Sequence, residues 1–261
     1  MNTASVKYQL AEGVATLTLN RPQRHNALVQ EMLDGLRDAL ARCREDRPAA
    51  LRLRAEGRSF SSGGDIAAFY QVPRPARADY ARRLVGTLND VILDLLHLPV
   101  PTVAEVHGMV TGGSLGLVLA CDIVVAGPRA HFAPWYTAVG FSPDGGWTAL
   151  MPERIGRGRA LEVQLTNRRI EAKEALAWGL VNYLAEDGCV AEMTDEVVAR
   201  LRTAKTASVR NTLALTRPYP ERVARGLQME LEQFVARIDS DEAELGMAAF
   251  LERTGTRKTN R

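Results

Sequence analysis

Two glycine pairs, Gly63-Gly64 and Gly112-Gly113, constrain this chain more than any other feature, because each stands between a strand-like run and a helix-like one. The first lies in Ser61-Ser62-Gly63-Gly64-Asp65-Ile66, the second in His107-Gly108-Met109-Val110-Thr111-Gly112-Gly113-Ser114. Glycine lets the main chain approach a neighbour or a ligand closely and adopt left-handed dihedrals. A helix start leaves N–H groups without intrahelical acceptors, and its dipole favours negative charge. Two such turns brought together can grip one oxygen that gains charge in a transition state, worth about 3–4 kcal/mol per donor. Each pair alone is also what an ordinary tight turn requires. Neither shows the spaced glycines or the Lys-Ser/Thr pair of a phosphate-binding loop.

The flanking pattern predicts an α/β core. Val14–Leu19 reads as a strand stopped by Asn20-Arg21-Pro22, and Ala49–Arg54 and Thr102–Val106 as further strands. Apolar residues at 32, 33, 36, 40 and 43 mark one face of a helix over Val29–Cys43. A second helix is expected over Tyr80–His97, ended by Pro99 and Pro101, and the two prolines and the charges of Gln71–Ala78 predict a mobile surface loop before it. Ser114–Ala120 reads as a buried helix and Cys121–Ala126 as a strand. After Glu186 the pattern is helical only, with helices expected at Asp195–Leu201, Arg222–Ile238 and Asp241–Arg253. The division expected is a core over 1–200 and a helical region over 201–261, ending in a polar, basic tail from Thr254.

A formal net charge of +2 gives no bulk argument for nucleic acid, and no apolar run approaches the roughly 20 residues that span a bilayer. Met1–Leu10 lacks the charged start and apolar stretch of a signal peptide. Cys43, Cys121 and Cys189 are odd in number and form no C-x-x-C, so neither a disulfide framework nor a metal site is expected, and a cytoplasmic setting is. His97 and His131 lack partners at a recognisable spacing. Asp144, on Pro143-Asp144-Gly145-Gly146, fits a turn or a helix N-cap. Trp135, Tyr136 and Phe141 are placed to form an apolar wall beside it, which would raise its pKa by desolvation.

Phe60-Ser61-Ser62-Gly63-Gly64-Asp65-Ile66, then Pro101–Gly108 through Gly112-Gly113 to Ala120-Cys121-Asp122-Ile123, resembles the enoyl-CoA hydratase/isomerase (crotonase) superfamily. Leu19-Asn20-Arg21-Pro22 with Asn26-Ala27-Leu28, and Glu171-Ala172 to Trp178-Gly179-Leu180-Val181, belong to the same pattern, which covers nearly the whole chain. The resemblance implies a ββα superhelix, with C-terminal helices that cover the active site and build a homotrimer or a dimer of trimers. It implies an acyl-CoA substrate, coenzyme A being part of that substrate and no further cofactor being needed. Gly64 and Gly113 would carry the oxyanion N–H donors, with Asp65 holding the first turn. Ser62–Ile66 would run along the thioester, and Arg24 and Ala27 would meet the nucleotide end of coenzyme A. Phe234 and Arg253 would reach a neighbouring subunit's coenzyme A, and Tyr136 and Phe141 would face the acyl group.

The two glutamates of a hydratase of this family would fall at Gly116 and Tyr136, and neither residue is a carboxylate. Phenylacetate-type isomerases share that loss and carry an acid on the Pro-Asp turn, so Asp144 is expected to move a proton in a double-bond shift. The competing expectations are an atypical hydratase, a hydrolase or a dehalogenase, though Asp90 stands where a dehalogenase places a histidine. A non-catalytic RNA-binding homologue fits less well with the small net charge.

Overall fold

The computed structural model describes residues 4–254. The expected tail beyond them lies outside the described residues. In chain order the strands are β1 (Val6–Ala11), β2 (Val14–Leu19), β3 (Ala50–Ala55), β4 (Thr102–Val106), β5 (Met109–Thr111), β6 (Ile123–Ala126), β7 (His131–Ala133), β8 (Ile170–Glu171) and β9 (Tyr183–Leu184). The helices of the first half are α1 (Gln30–Asp46), α2 (Ile66–Gln71), α3 (Arg74–Leu96), α4 (Leu115–Leu119) and α5 (Tyr136–Val139). Those that follow are α6 (Met151–Ile155), α7 (Arg157–Thr166), α8 (Ala172–Trp178), α9 (Val190–Thr203), α10 (Thr206–Thr216), α11 (Pro220–Ile238) and α12 (Asp241–Arg253).

Six strands form one sheet in the order β1-β2-β3-β4-β6-β9, and three form another, β5-β7-β8. Only the β1–β2 hairpin is antiparallel in the first; from β2 onward neighbours run parallel. All five residues of β4 are buried, as a central parallel strand requires. The chain passes from β4 to β5, and so between sheets, at His107-Gly108. Gly108 has φ +59°, and a Cβ there would lie 2.3 Å from the Arg58 carbonyl oxygen, so no larger residue turns this corner. The second sheet thereby delivers Gly112-Gly113 directly at the end of β5.

Helix α1 buries Met32, Leu33, Leu36, Ala39, Leu40 and Cys43, the face its spacing predicts. The loop expected over Gln71–Ala78 is instead mostly helix. Pro75 sits in the first turn of α3, where a proline removes no needed N–H. Arg77, 2% exposed, donates to the Phe69 carbonyl at 3.0 Å and to Glu244 Oε2 at 2.5 Å, tying α2, α3 and α12 together. Strand β1 and helix α10 carry no periodic signal strong enough to predict them, and α9 runs continuously through residue 200.

Arg217, between α10 and α11, anchors the C-terminal helices. Its guanidinium meets Asp122 at 2.6 and 2.8 Å and the carbonyls of Leu96 (3.0 Å), Leu98 and Val100 (2.9 Å). Asp122 thus has a structural role, accepting also from the main chain and hydroxyl of Thr102. Arg217→Met leaves a largely buried carboxylate and three carbonyls without this donor, so a loss of about 3–5 kcal/mol is expected in denaturant unfolding. No helix of the described residues is long and apolar enough to cross a membrane.

Candidate active site

The two glycine turns are held side by side like short strands. Ser61 N–H donates to the Met109 carbonyl (2.9 Å) and Thr111 N–H to the Ser61 carbonyl (3.1 Å). Gly63, at φ +78°, lies so close that a Cβ would sit 2.4 Å from the Thr111 carbonyl oxygen. Gly64 follows against the edge of Phe69, and Gly113 stands in the first turn of the 3-10 helix Gly112–Ser114, where N–H groups have no intrahelical acceptor. Asp65 holds the first turn as expected: one oxygen caps α2 through Ala68 N–H (3.2 Å), and the other pairs with Arg24 at 3.3 Å.

Asp144 is 6% exposed and lies over the α-carbon of Gly113, since a Cβ on that glycine would fall 2.9 and 3.2 Å from the two carboxylate oxygens. Gly145, at φ +60°, presses against the Gly113 main chain, with its own would-be Cβ 2.4 Å from the Gly113 carbonyl oxygen. Trp147, fully buried, donates from Nε1 to the Gly112 carbonyl at 2.8 Å, a third link between the acid's turn and the second glycine turn. The hydroxyl of Tyr136 donates to Asp144 Oδ1 and approaches its main-chain oxygen at 3.0 Å. Burial pushes the Asp144 carboxyl up to about 7, opposed by the Tyr136 hydrogen bond and reinforced by the charge of Glu230. Of the three residues expected as an apolar wall, Tyr136 contacts Asp144, and does so through its polar end, while Phe141 and the 40% exposed Trp135 line the same cavity.

Glu230 is the functional residue that no motif marks. It is 4% exposed on α11 and accepts N–H bonds from Gly146 (2.7 Å), Thr148 (2.7 Å) and Ala149 (2.9 Å), plus the Thr148 hydroxyl at 2.7 Å. It fixes the main chain immediately after Asp144. Its only sequence signal is its place on the buried face of α11, between Leu227 and Phe234. Glu230→Ala strands three N–H groups in the interior, so a loss of at least about 3 kcal/mol is expected by thermal or denaturant unfolding, with turnover falling alongside.

These elements line one cavity of about 600 Å³. Arg24, Ala27, Ser62, Asp65 and Ile66 line it on the side of the first turn, and Arg24 is half-exposed. Gly64, Gly113 and Asp144 meet within it, with Tyr136 and Phe141. Phe69, Phe141 and Phe234 form an aromatic cluster with centroids 5.2–6.0 Å apart. Phe234 lines the cavity of its own chain. Arg253 does not line this cavity and stands exposed at the end of α12. Phe250, Leu251 and Thr254 of the same C-terminal segment do line it, so the last helices close over the site. Asp90 lies outside, paired with Arg37 at 3.9 Å on the surface.

Stacked strand-strand-helix turns that press two glycine turns together beneath a buried acid define the crotonase class of α/β fold. An enoyl-CoA hydratase from Mycobacterium avium subsp. paratuberculosis K-10 superposes with a TM-score of 0.85 at 31% identity, covering 96% of each chain. The 1,2-epoxyphenylacetyl-CoA isomerase of Escherichia coli K12 is 30% identical over 92% of each sequence. The 4-chlorobenzoyl coenzyme A dehalogenase-2 of an Arthrobacter species is 33% identical over 77% of this chain and 73% of its own. The enoyl-CoA hydratase/isomerase family model matches residues 9–259, and the chain belongs to that family. Its enzymes bind acyl-CoA thioesters, and the relatives span isomerases, hydratases and a dehalogenase.

Proposed function

We propose that this chain moves the double bond of an enoyl-CoA thioester, with Asp144 as the acid–base and Gly64 and Gly113 as oxyanion donors. The observation that carries this reading is one buried carboxyl, raised to about 7, lying against Gly113. A side chain at the first hydratase position, Gly116, would put its Cβ 2.4 Å from Ile92 Cδ1 and 2.5 Å from the Gly145 carbonyl oxygen. The second position holds Tyr136, whose phenol burial and the adjacent Asp144 push well above its ordinary value, so it is no base at neutral pH. Hydration needs a water and a group to activate it as well as an acid. A 1,3-proton shift needs one carboxylate.

In that shift the thioester oxygen lies between the Gly64 and Gly113 N–H groups. Asp144 removes the α-proton of a β,γ-enoyl thioester, the charge moves onto that oxygen as a dienolate, and Asp144 returns a proton at the γ-carbon. No water is consumed, and coenzyme A enters only as part of the substrate. A dehalogenase reading requires a histidine partner for the aspartate. His25, the histidine that lines the cavity, contacts Ser59 and Arg58 instead.

The wild type should convert a β,γ-enoyl-CoA into its conjugated isomer, seen as a rise in thioester-conjugated absorbance with unchanged mass, and should exchange α or γ protons in deuterated water. A 3-hydroxyacyl product formed as fast as any isomer would overturn the reading. Because the carboxylate is the active form for proton removal, kcat/KM should fall with decreasing pH through a limb near the Asp144 value of about 7.

We also propose a homotrimer or dimer of trimers in a cytoplasmic setting. Helix α10 buries no residue within its own chain; Leu215 on it and Tyr219 just after it are 85% and 79% exposed. Such a surface calls for a cover, here a second copy. Light scattering after size exclusion should give a trimer or hexamer mass at micromolar concentration, and a monomer would overturn the assignment.

A further inference from the structure

The two oxygens of Asp144 are held differently. Oδ1 accepts from the Tyr136 hydroxyl, whereas Oδ2 has no hydrogen-bond partner among the described residues. Tyr136 is itself fixed: it is 4% exposed, and its ring meets Trp147 edge-on at 6.5 Å and 83°. Trp147 in turn is bonded to the Gly112 carbonyl. A chain of contacts therefore runs from the second glycine turn, through Trp147 and Tyr136, to one oxygen of the acid.

We propose that Tyr136 is a positioning residue: its hydroxyl ties Asp144 Oδ1, so that Oδ2 alone takes the proton from the substrate and returns it. This rests on the isomerase reading above. A double-bond shift needs one proton carrier able to face two carbons in turn, and a carboxylate free to rotate would present either oxygen in no fixed place. Tying one oxygen leaves the other aimed. Tyr136 does not exchange its own proton, because burial between the carboxylates of Asp144 and Glu230 keeps the phenol neutral, so it acts only as a donor. The titratable groups acting on Asp144 are Tyr136 from α5 and Glu230 from α11. The first favours the carboxylate by hydrogen bonding and the second disfavours it by charge.

The test is a carbon-13 NMR titration of the aspartate carboxyls in the substrate-free protein, with Asp144→Asn identifying the signal. In Tyr136→Phe the Asp144 midpoint should rise by about one pH unit, equivalent to a tenfold change in the carboxylate–acid equilibrium. Because the untied carboxylate is no longer aimed, substrate proton exchange should fall at least about tenfold even at pH 9, where Asp144 is ionised in both proteins, and by about a further tenfold at pH 6. Replacing all tyrosines by 3-fluorotyrosine, a stronger donor, should move the midpoint down, and Tyr136→Phe should abolish that movement. An Asp144 midpoint unmoved in both experiments, or Tyr136→Phe exchange within a few-fold of wild type at pH 9, overturns the proposal. If the midpoints move as expected but Asp144→Asn exchanges substrate protons normally, the tie between Tyr136 and Asp144 stands and the isomerase reading is what fails.

Discussion

Asp144→Asn is expected to lower turnover by about 10²–10⁴-fold, the usual cost of removing a positioned acid–base group, while acyl-CoA affinity stays within a few-fold. Asparagine keeps the volume and can still accept from Tyr136, so binding and shape survive while proton transfer does not. The same variant carries a stability signature of defined sign. The Asp144 carboxyl is raised from an ordinary 3.8 to about 7 in the folded chain. Between those values the folded state holds a proton that the unfolded state has released. Its stabilising contribution is present below about pH 4 and is lost as pH rises through 7. Above that the wild type carries a buried charge worth up to about 4 kcal/mol against folding, and the neutral amide does not. Asp144→Asn should therefore melt higher than wild type at pH 8, and the gap should close toward pH 4. Full activity in the variant, or a gap that widens on acidification, would remove Asp144 from its assigned role.

Gly145→Ala should be nearly as damaging through geometry alone. The added methyl would lie 2.4 Å from the Gly113 carbonyl oxygen and 2.5 Å from its α-carbon, at a residue whose φ of +60° already disfavours any side chain. Main chain faces main chain there, so no side chain can swing aside. The acid's turn and the oxyanion turn must separate, and catalysis tolerates little misplacement. A loss of at least about 10²-fold in turnover is expected, with destabilisation of about 2–4 kcal/mol. Circular dichroism and a melting curve separate the two effects. A folded Gly145→Ala protein with normal turnover would show that contact between the turns is unimportant.

What could be read in advance followed from the range over which each signal acts. The glycine turns, the strand before each and the apolar face of α1 are local patterns, and they appear where the spacing puts them. Asp144 could be singled out because the carboxylate positions at 116 and 136 are empty of carboxylates. The structure adds that Gly116 is closed sterically as well as chemically. Tyr136 could be seen only as a ring, because its hydroxyl matters through a bond to a residue one turn away in space. Glu230 lies 84 residues from the amide it binds, and only its place on the buried face of α11 sets it apart from a solvated glutamate. The prolines of Gln71–Ala78 misled because proline serves a helix's first turn as readily as a loop. Arg77, charged and yet interior, is intelligible only once the carbonyls ending α2 and the carboxylate of α12 surround it.

The bonds from Glu230 to the Gly146–Ala149 main chain tie catalytic competence to the order in which the chain is made. Both glycine turns and Asp144 leave the ribosome well before α11. Until α11 docks, the amides after Asp144 lack their acceptor and the cavity lacks Phe234 and Phe250 on its far side. A nascent or C-terminally clipped chain would hold the recognisable motifs in a site without a fixed acid. The geometry of the site thereby depends on completion of the fold.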